Sequence, residues 1–383
     1  MDPFDFQPQT RIVFGADRLD SLGQLAAELG ARRALVVSDP GIIAAGHTPR
    51  GVQSLEAAGL QAFVFEGVHE NPTTGDVENG LVFAQTVQPD LVVGLGGGSS
   101  MECAKGINFV LSGGGRMQDY WGVGKANLPM LPMIAVPTTA GTGSESQSFA
   151  LISDAQTHVK MACGDKKAAF RIALLDPKLT LTQPPAVTAL TGIDALSHAV
   201  ETFVTTRRNT ASLAFSREAW RRLAPGFRRV LEDPDNLSAR CDMQLGACFA
   251  GLAIENSMLG AAHALANPLT ANYGIVHGQA VAVMLPHVVR FNGEQFELDY
   301  HELLDVTEAA DGCPRPEQGA GGLADYLTQL AQQAGLATGL SALNVPGEDL
   351  PRLAAEAARQ WTAQFNPRTV DEERLLGLYQ AAY

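Results

Sequence analysis

The chain has 383 residues, more than one hydrophobic core usually organises, so two domains are expected. Hydrophobic residues make up 46% and charged residues 18%, the balance of a globular protein, and the longest apolar runs, such as Leu91 to Leu95, are far too short to cross a bilayer. A formal net charge of −14 leaves little basic surface for nucleic acid or an anionic membrane, so any bound phosphate must be held by backbone amides and a few lysines.

The opening Met1-Asp2-Pro3-Phe4-Asp5-Phe6 is acidic and lacks the regions of a signal peptide, so a cytoplasmic protein is expected. The cysteines (Cys103, Cys163, Cys241, Cys248, Cys313) are odd in number and scattered, with no Cys-x-x-Cys. That pattern argues for reduced thiols and against a disulfide framework or a thiolate zinc site.

In chain order, residues 11 to 15 read as a short strand and residues 18 to 29 as an amphipathic helix. Residues 33 to 39 form an apolar strand of the doubly buried kind, stopped by Asp39-Pro40-Gly41. A helix over 51 to 58, a strand over 61 to 65, a helix over 76 to 86 and a strand over 91 to 95 follow. This alternation predicts βαβ units and a largely parallel sheet.

The last of those strands runs into Gly96-Gly97-Gly98-Ser99-Ser100, which opens a helix. Three glycines there leave backbone N–H groups bare to an approaching phosphate, and the helix end adds partial positive charge. The same glycines also suit a tight turn. The loop's place at the carboxyl end of a strand favours ligand binding, although it is neither the Gly-x-Gly-x-x-Gly fingerprint nor a P-loop. Asp39, ending the second strand, can accept from a ribose and repel a 2′-phosphate; Asp39-Pro40-Gly41 is equally well made for a plain turn. Residues 131 to 136 are a further strand. It runs into Pro137-Thr138-Thr139-Ala140-Gly141-Thr142-Gly143-Ser144-Glu145, a loop rich in hydroxyls and suited to phosphate or ribose. Lys160 downstream could complete an anion site or be solvated surface. Residues 173 to 177 read as one more strand, and Leu181 to Ala186, with adjacent prolines, as the linker.

Beyond Ala186 the composition is helical over 187–204, 209–231, 236–268, 277–291, 319–335 and 347–363, which predicts an all-α second domain. In its first helix Asp194 and His198 stand four residues apart, on one face one turn from each other. His263 follows in a small-residue run, His277 precedes a glycine, and His287 lies in Leu285-Pro286-His287. Any one of these histidines alone fits a hydrogen-bonded core position. As a group, one carboxylate and three imidazoles suit a borderline divalent ion such as Fe²⁺ or Zn²⁺ better than Mg²⁺ or Ca²⁺.

Several of these strings resemble the iron-containing (group III) alcohol dehydrogenases over nearly the whole chain. The resemblance runs through Gly96 to Ser99, Asp119-Tyr120, Pro137 to Glu145, Leu175-Asp176-Pro177, Thr191 to His198, His277-Gly278, Leu285 to His287 and Asn366-Pro367-Arg368. It implies an α/β Rossmann-like N-terminal domain (residues 1–182), an all-α C-terminal domain (183–383), and an active site in the cleft between them, the fold shared with dehydroquinate synthases. It assigns Asp194, His198, His263 and His277 to the metal, Fe²⁺ with Zn²⁺ as the alternative. It assigns Asp39, Asn71, Gly97, Gly98, Ser99, Thr138, Thr139, Thr142, Phe149, Leu151, Lys160 and Leu179 to NAD, and Asp39 there goes with NAD rather than NADP. Phe149, Leu151, Ile254 and Trp361 are the implied pocket walls, and a homo-oligomer, a dimer, is the implied assembly.

Two departures stand out. Asn267 occupies a position where the family commonly has a second histidine, and an asparagine shuttles no proton near neutral pH. Glu102 replaces an aspartate and keeps its charge. The expected reaction interconverts a primary alcohol or diol and its aldehyde, with the metal polarising the alcohol oxygen and the nicotinamide taking the hydride. A dehydroquinate synthase-like lyase would need a basic cluster near the ligands that this sequence lacks. A non-catalytic relative binding metal or nucleotide is the third reading, and only Asn267 favours it.

Overall fold

A computed structural model of the chain describes residues 3–311 and 318–383; Met1, Asp2 and Cys313 lie outside them. The described residues divide into two compact units, Gln7–Thr139 with Ser144–Gln183, and Pro184–Tyr383 with Ala140–Gly143 and residues 3–6.

The first unit is built on a six-stranded, all-parallel sheet. Its strands are β1 (Arg11–Phe14), β2 (Arg33–Val37), β3 (Gln61–Phe65), β4 (Leu91–Gly96), β6 (Met133–Pro137) and β9 (Ile172–Leu175), in the order β1-β9-β6-β4-β2-β3. Successive strand residues point to opposite faces. Leu35, Val37, Val92, Met133 and Ala135 therefore join one core with residues of α4 (Thr74–Val87) and α5 (Gly98–Gly113). Ala34, Val36, Leu91, Val93 and Ile134 join the other, with α1 (Leu22–Glu28) and α3 (His47–Ala57). A short α2 (Pro40–Ala44) leaves β2. After β2 the chain crosses to β3 on one side, and after β4 it crosses to β6 on the other, so the sheet reverses direction between the neighbours β2 and β4.

A second, three-stranded sheet was not foreseen: β5 (Gly122–Val123), β7 (Phe149–Ser153) and β8 (Lys160–Gly164), in the order β5-β8-β7. Phe149, Leu151 and Lys160, expected near a cofactor, all lie on this hairpin.

The second unit is helical: α6 (Pro185–Val204), α7 (Thr210–Glu232), α8 (Leu237–Glu255), α9 (Ala261–Tyr273), α10 (His277–Asp311), α11 (Gly319–Gln333), α12 (Leu350–Ala357) and α13 (Glu372–Ala381). The adjacent prolines expected to break structure instead open α6, Pro185 sitting at its first position where no N–H is needed. The run 236–268, read as one helix, is broken between α8 and α9 at residues 256–260, ending in Gly260. The segment 277–291 continues to Asp311 with a kink at Phe296. The segment 347–363 shrinks to α12 flanked by 3-10 turns, and α13 was not expected. No helix among the described residues is long and apolar enough to cross a membrane.

Candidate active site

Asp194 and His198 lie on one face of α6, and the spacing does what it predicts: His198 Nε2 stands 3.4 Å from Asp194 Oδ1. His263 comes from the first turn of α9 and His277 is the first residue of α10. Their Nε2 atoms each stand 3.6 Å from the same Oδ1. Three imidazole nitrogens from three helices thus face one carboxylate oxygen, and the ligand atoms of Asp194, His263 and His277 all lie within 4.8 Å of one another.

These separations are long for hydrogen bonds. Donor atoms bound at about 2.0–2.1 Å around a tetrahedral ion stand about 3.4 Å apart. Asp194 Oδ1 and His263 Nε2 are also buried with no hydrogen-bond partner, which among buried polar atoms calls for an explanation. The donor set fits a borderline divalent cation, and so do the spacings from Asp194 Oδ1 to the three imidazoles, although His198 stands outside the trio whose ligand atoms lie within 4.8 Å of one another.

The electrostatics agree. Burial works against ionising Asp194, but the charges of His198, His277 and His263 outweigh it and hold the carboxyl well below its usual range. Burial pushes the His198 imidazole down against the pull of Asp194. Burial also disfavours the charged form of His263, yet Glu201 and Asp194 together raise it to about 9.

Glu201, which the sequence reading passed over, is buried two turns beyond Asp194 on the same α6 face. Its Oε2 lies 2.6 Å from His263 Nδ1, and its Oε1 accepts from the Ala262 N–H at 2.7 Å. The Asx residue of Asn366-Pro367-Arg368 acts beside it: Asn366 Oδ1 accepts from the Ala261 N–H at 3.3 Å. Gly141 and Gly143 belong to this unit as well. A Cβ on Gly141 would meet Thr191 Cβ at 2.5 Å, and one on Gly143, at φ +64°, would meet Gly251 Cα at 2.7 Å. Thr142 lies between them. Asn267, one turn past His263, donates to Gln360 Oε1 at 3.0 Å. His287 lies off this cluster along α10, its imidazole pushed down by burial.

In the sheet-bearing unit, the parallel register sets the carboxyl ends of β2, β4 and β6 side by side. Asp39 follows β2 and caps α2, accepting from the Ile42 N–H at 3.1 Å. Ser100 Oγ donates to its other oxygen at 3.3 Å. Gly96 sits at φ +153°, where a Cβ would meet Ser100 Oγ at 2.3 Å and Asp39 Oδ2 at 3.2 Å, so the turn admits only glycine. Gly97 stands at the N-cap of α5 and offers no side-chain cap, leaving Gly98 and Ser99 in the first turn. The Thr138 N–H donates to Gly96 O at 2.9 Å, and Thr139 packs 3.5 Å from the Cβ position of Gly97. Thr138 Oγ1 is buried with no partner. The Asn71 N–H donates to Ser99 Oγ at 3.3 Å, from a left-handed φ of 53°. Asp39, Asn71, Gly97, Gly98, Ser99, Thr138 and Thr139 therefore meet where the sheet reverses, the place open α/β sheets use for ligands.

The remaining expected residues lie on other elements. Leu179 is buried in the 3-10 turn Pro177–Thr182, and Lys160 is an exposed residue opposite Ser153 at the start of β8. Phe149 and Leu151 are half-buried on β7, Ile254 is buried near the end of α8, and Trp361 is exposed in the turn Trp361–Phe365. Glu102 is buried on α5 and accepts from Ser144 Oγ at 3.3 Å.

Comparison with known proteins gives the same pattern along the full chain. The family model for iron-containing alcohol dehydrogenase matches residues 8–177, and that for the C-terminal part of the Fe-containing alcohol dehydrogenase family matches residues 188–383. The chain is 33% identical to a 1,3-propanediol dehydrogenase of Klebsiella pneumoniae over 99% of each protein. Its structure superimposes on that of a 1,3-propanediol oxidoreductase with a TM-score of 0.94 at 31% identity, covering all of both chains. A sulfoacetaldehyde reductase from Bifidobacterium kashiwanohense, solved in complex with NAD⁺, gives a TM-score of 0.90 at 26% identity, covering 100% of this chain and 99% of that one.

Proposed function

Because the chain belongs to the iron-containing alcohol dehydrogenase family, we propose that it interconverts a primary alcohol or diol and its aldehyde, using NAD and a divalent metal, Fe²⁺ with Zn²⁺ as the alternative. The observation that carries this reading is the ring of three Nε2 atoms around Asp194 Oδ1. Asp194, His198, His263 and His277 would hold the ion. When bound there, it supplies Lewis acidity toward an alcohol oxygen. NAD, held at the sheet reversal, supplies the hydride acceptor.

The chain's own residues do the rest. The bare N–H groups of Gly98 and Ser99 at the start of α5 suit the pyrophosphate. The carboxylate of Asp39 suits a ribose diol and repels a 2′-phosphate, which selects NAD over NADP. Thr138 offers a buried hydroxyl otherwise without a partner. Asn267 holds Gln360 and moves no proton near neutral pH, so the proton released on alcohol oxidation leaves by another route. The cytoplasm is the location to test and a homodimer the assembly.

The test is NADH absorbance with a panel of short primary alcohols and diols, using protein purified without oxygen and assayed for metal. Turnover that chelation removes and Fe²⁺ or Zn²⁺ restores is the expected result. Absence of NADH formation from every alcohol, with metal and NAD both bound, would sink the reading.

A further inference from the structure

Both oxygens of the Glu201 carboxylate are committed to donors on α9. Oε1 accepts from the Ala262 N–H at 2.7 Å, and Oε2 faces His263 Nδ1 at 2.6 Å. The group is buried, and a Cβ on Gly260 would come within 3.2 Å of Oε1, so the chain before α9 closes over it. An ionised carboxylate only accepts. His263 Nδ1 must therefore carry a proton, so when the ring gives up its other proton to ligate a cation, the lone pair it offers is the one on Nε2, toward Asp194. That Nε2 is the buried atom without a partner.

We propose that Glu201 is a positioning residue: by gripping the start of α9 and the Nδ1–H of His263 together, it fixes the tautomer and pose that present His263 Nε2 to the metal. This rests on the metal-holding role proposed above. Glu201 adds a negative charge at the α9 N-terminus, where the helix dipole favours one. A carboxylate behind a ligating imidazole both orients the ring and strengthens it as a ligand.

Glu201→Gln exposes the role because the amide cannot satisfy two donors with its single oxygen. If Gln Oε1 keeps the Ala262 N–H, its NH₂ faces His263. Nδ1 must then accept, and the proton moves to Nε2, blocking the ligand position. If the amide turns the other way, two N–H groups collide at the start of α9. Asn366→Ala is the control, because it removes the acceptor for the neighbouring Ala261 N–H without touching His263.

Zn²⁺ affinity is measured by competition with a chromophoric chelator on the full-length wild type and both variants, alongside thermal unfolding. Glu201→Gln should lose roughly 10- to 100-fold in Zn²⁺ affinity, Glu201→Asp should recover part of it, and Asn366→Ala should lose thermal stability while keeping its affinity. Wild-type affinity in Glu201→Gln, or equal losses in Glu201→Gln and Asn366→Ala, would overturn the role. A wild type that binds no Zn²⁺ would instead remove the metal reading on which it stands. Should Glu201→Gln fail to fold, side-chain ¹⁵N spectra of Zn²⁺-loaded wild type decide. A protonated Nδ1 with Nε2 bound is expected for His263, and the reverse assignment refutes the proposal.

Discussion

Ser100 Oγ donates to Asp39 Oδ2 at 3.3 Å, tying the loop after β2 to the helix that follows β4 where the sheet changes direction. Asp39 also caps α2, so its charge and its capping role can be separated. Asparagine caps helices about as well as aspartate and carries no charge. Asp39→Asn should therefore leave the fold intact and relax the preference for NAD. The expected shift in the ratio of kcat/KM for NADP over NAD is roughly tenfold, the size of removing one near-surface like-charge contact. An unchanged ratio would mean that Asp39 is only a turn residue.

Gly96 lies just before α5 and packs against both members of that pair. A Cβ there would meet Ser100 Oγ at 2.3 Å from a backbone at φ +153°. Gly96→Ala should impose strain of about 1–3 kcal/mol on the loop. We expect KM for NAD to rise about tenfold or more while metal content stays at the wild-type level, and steady-state kinetics with metal analysis checks both.

Asp194 is the one atom set that all three imidazoles face. Asp194→Asn keeps its volume and removes its charge. The loss of metal affinity should exceed the roughly 100-fold upper range for an outer carboxylate, and turnover should fall with metal content. Adding Zn²⁺ should raise the melting temperature of the wild type through linkage but leave that of the variant unmoved. Calorimetry with and without the ion reads this directly.

Glu145 supplies a pH prediction. Burial pushes its carboxyl up from 4.5 to about 7, with Lys105 opposing. The folded state then holds this proton more tightly than the unfolded state, so stability falls as pH rises from 4.5 to about 7 and stays reduced above that. Glu145→Gln removes the titration. It should be more stable than the wild type by about 3 kcal/mol near pH 8, with the gain vanishing below about pH 4.5. Denaturant unfolding at the two pH values is the measurement.

Much of this was legible in the residues. The strands at 33, 61 and 91 are continuous apolar runs, and the Asp194–His198 pair needs only helical periodicity. What escaped depended on tertiary partners. Residues 236–268 read as one helix because their composition is uniformly helical; Gly260 was the available signal for the break, and Glu201 and Asn366, which satisfy the new helix start, lie far away in sequence. Glu201 itself was detectable, standing seven residues after Asp194 on the same face, yet it reads as an ordinary helical glutamate until His263 is brought against it. The β7–β8 hairpin was missed because its strands are short and follow a loop rich in hydroxyls, where the alternation of Phe149 to Ser153 is hard to separate from the loop.

Asp194, His198 and Glu201 ride a single helix, so their mutual spacing survives whatever the rest of the helical body does. His263 and His277 arrive on two other helices and meet them only when α9 and α10 have docked. Ion affinity in this chain is consequently a gauge of assembly: a preparation that takes up no zinc while retaining its helix content has misplaced α9 or α10 rather than lost a ligand.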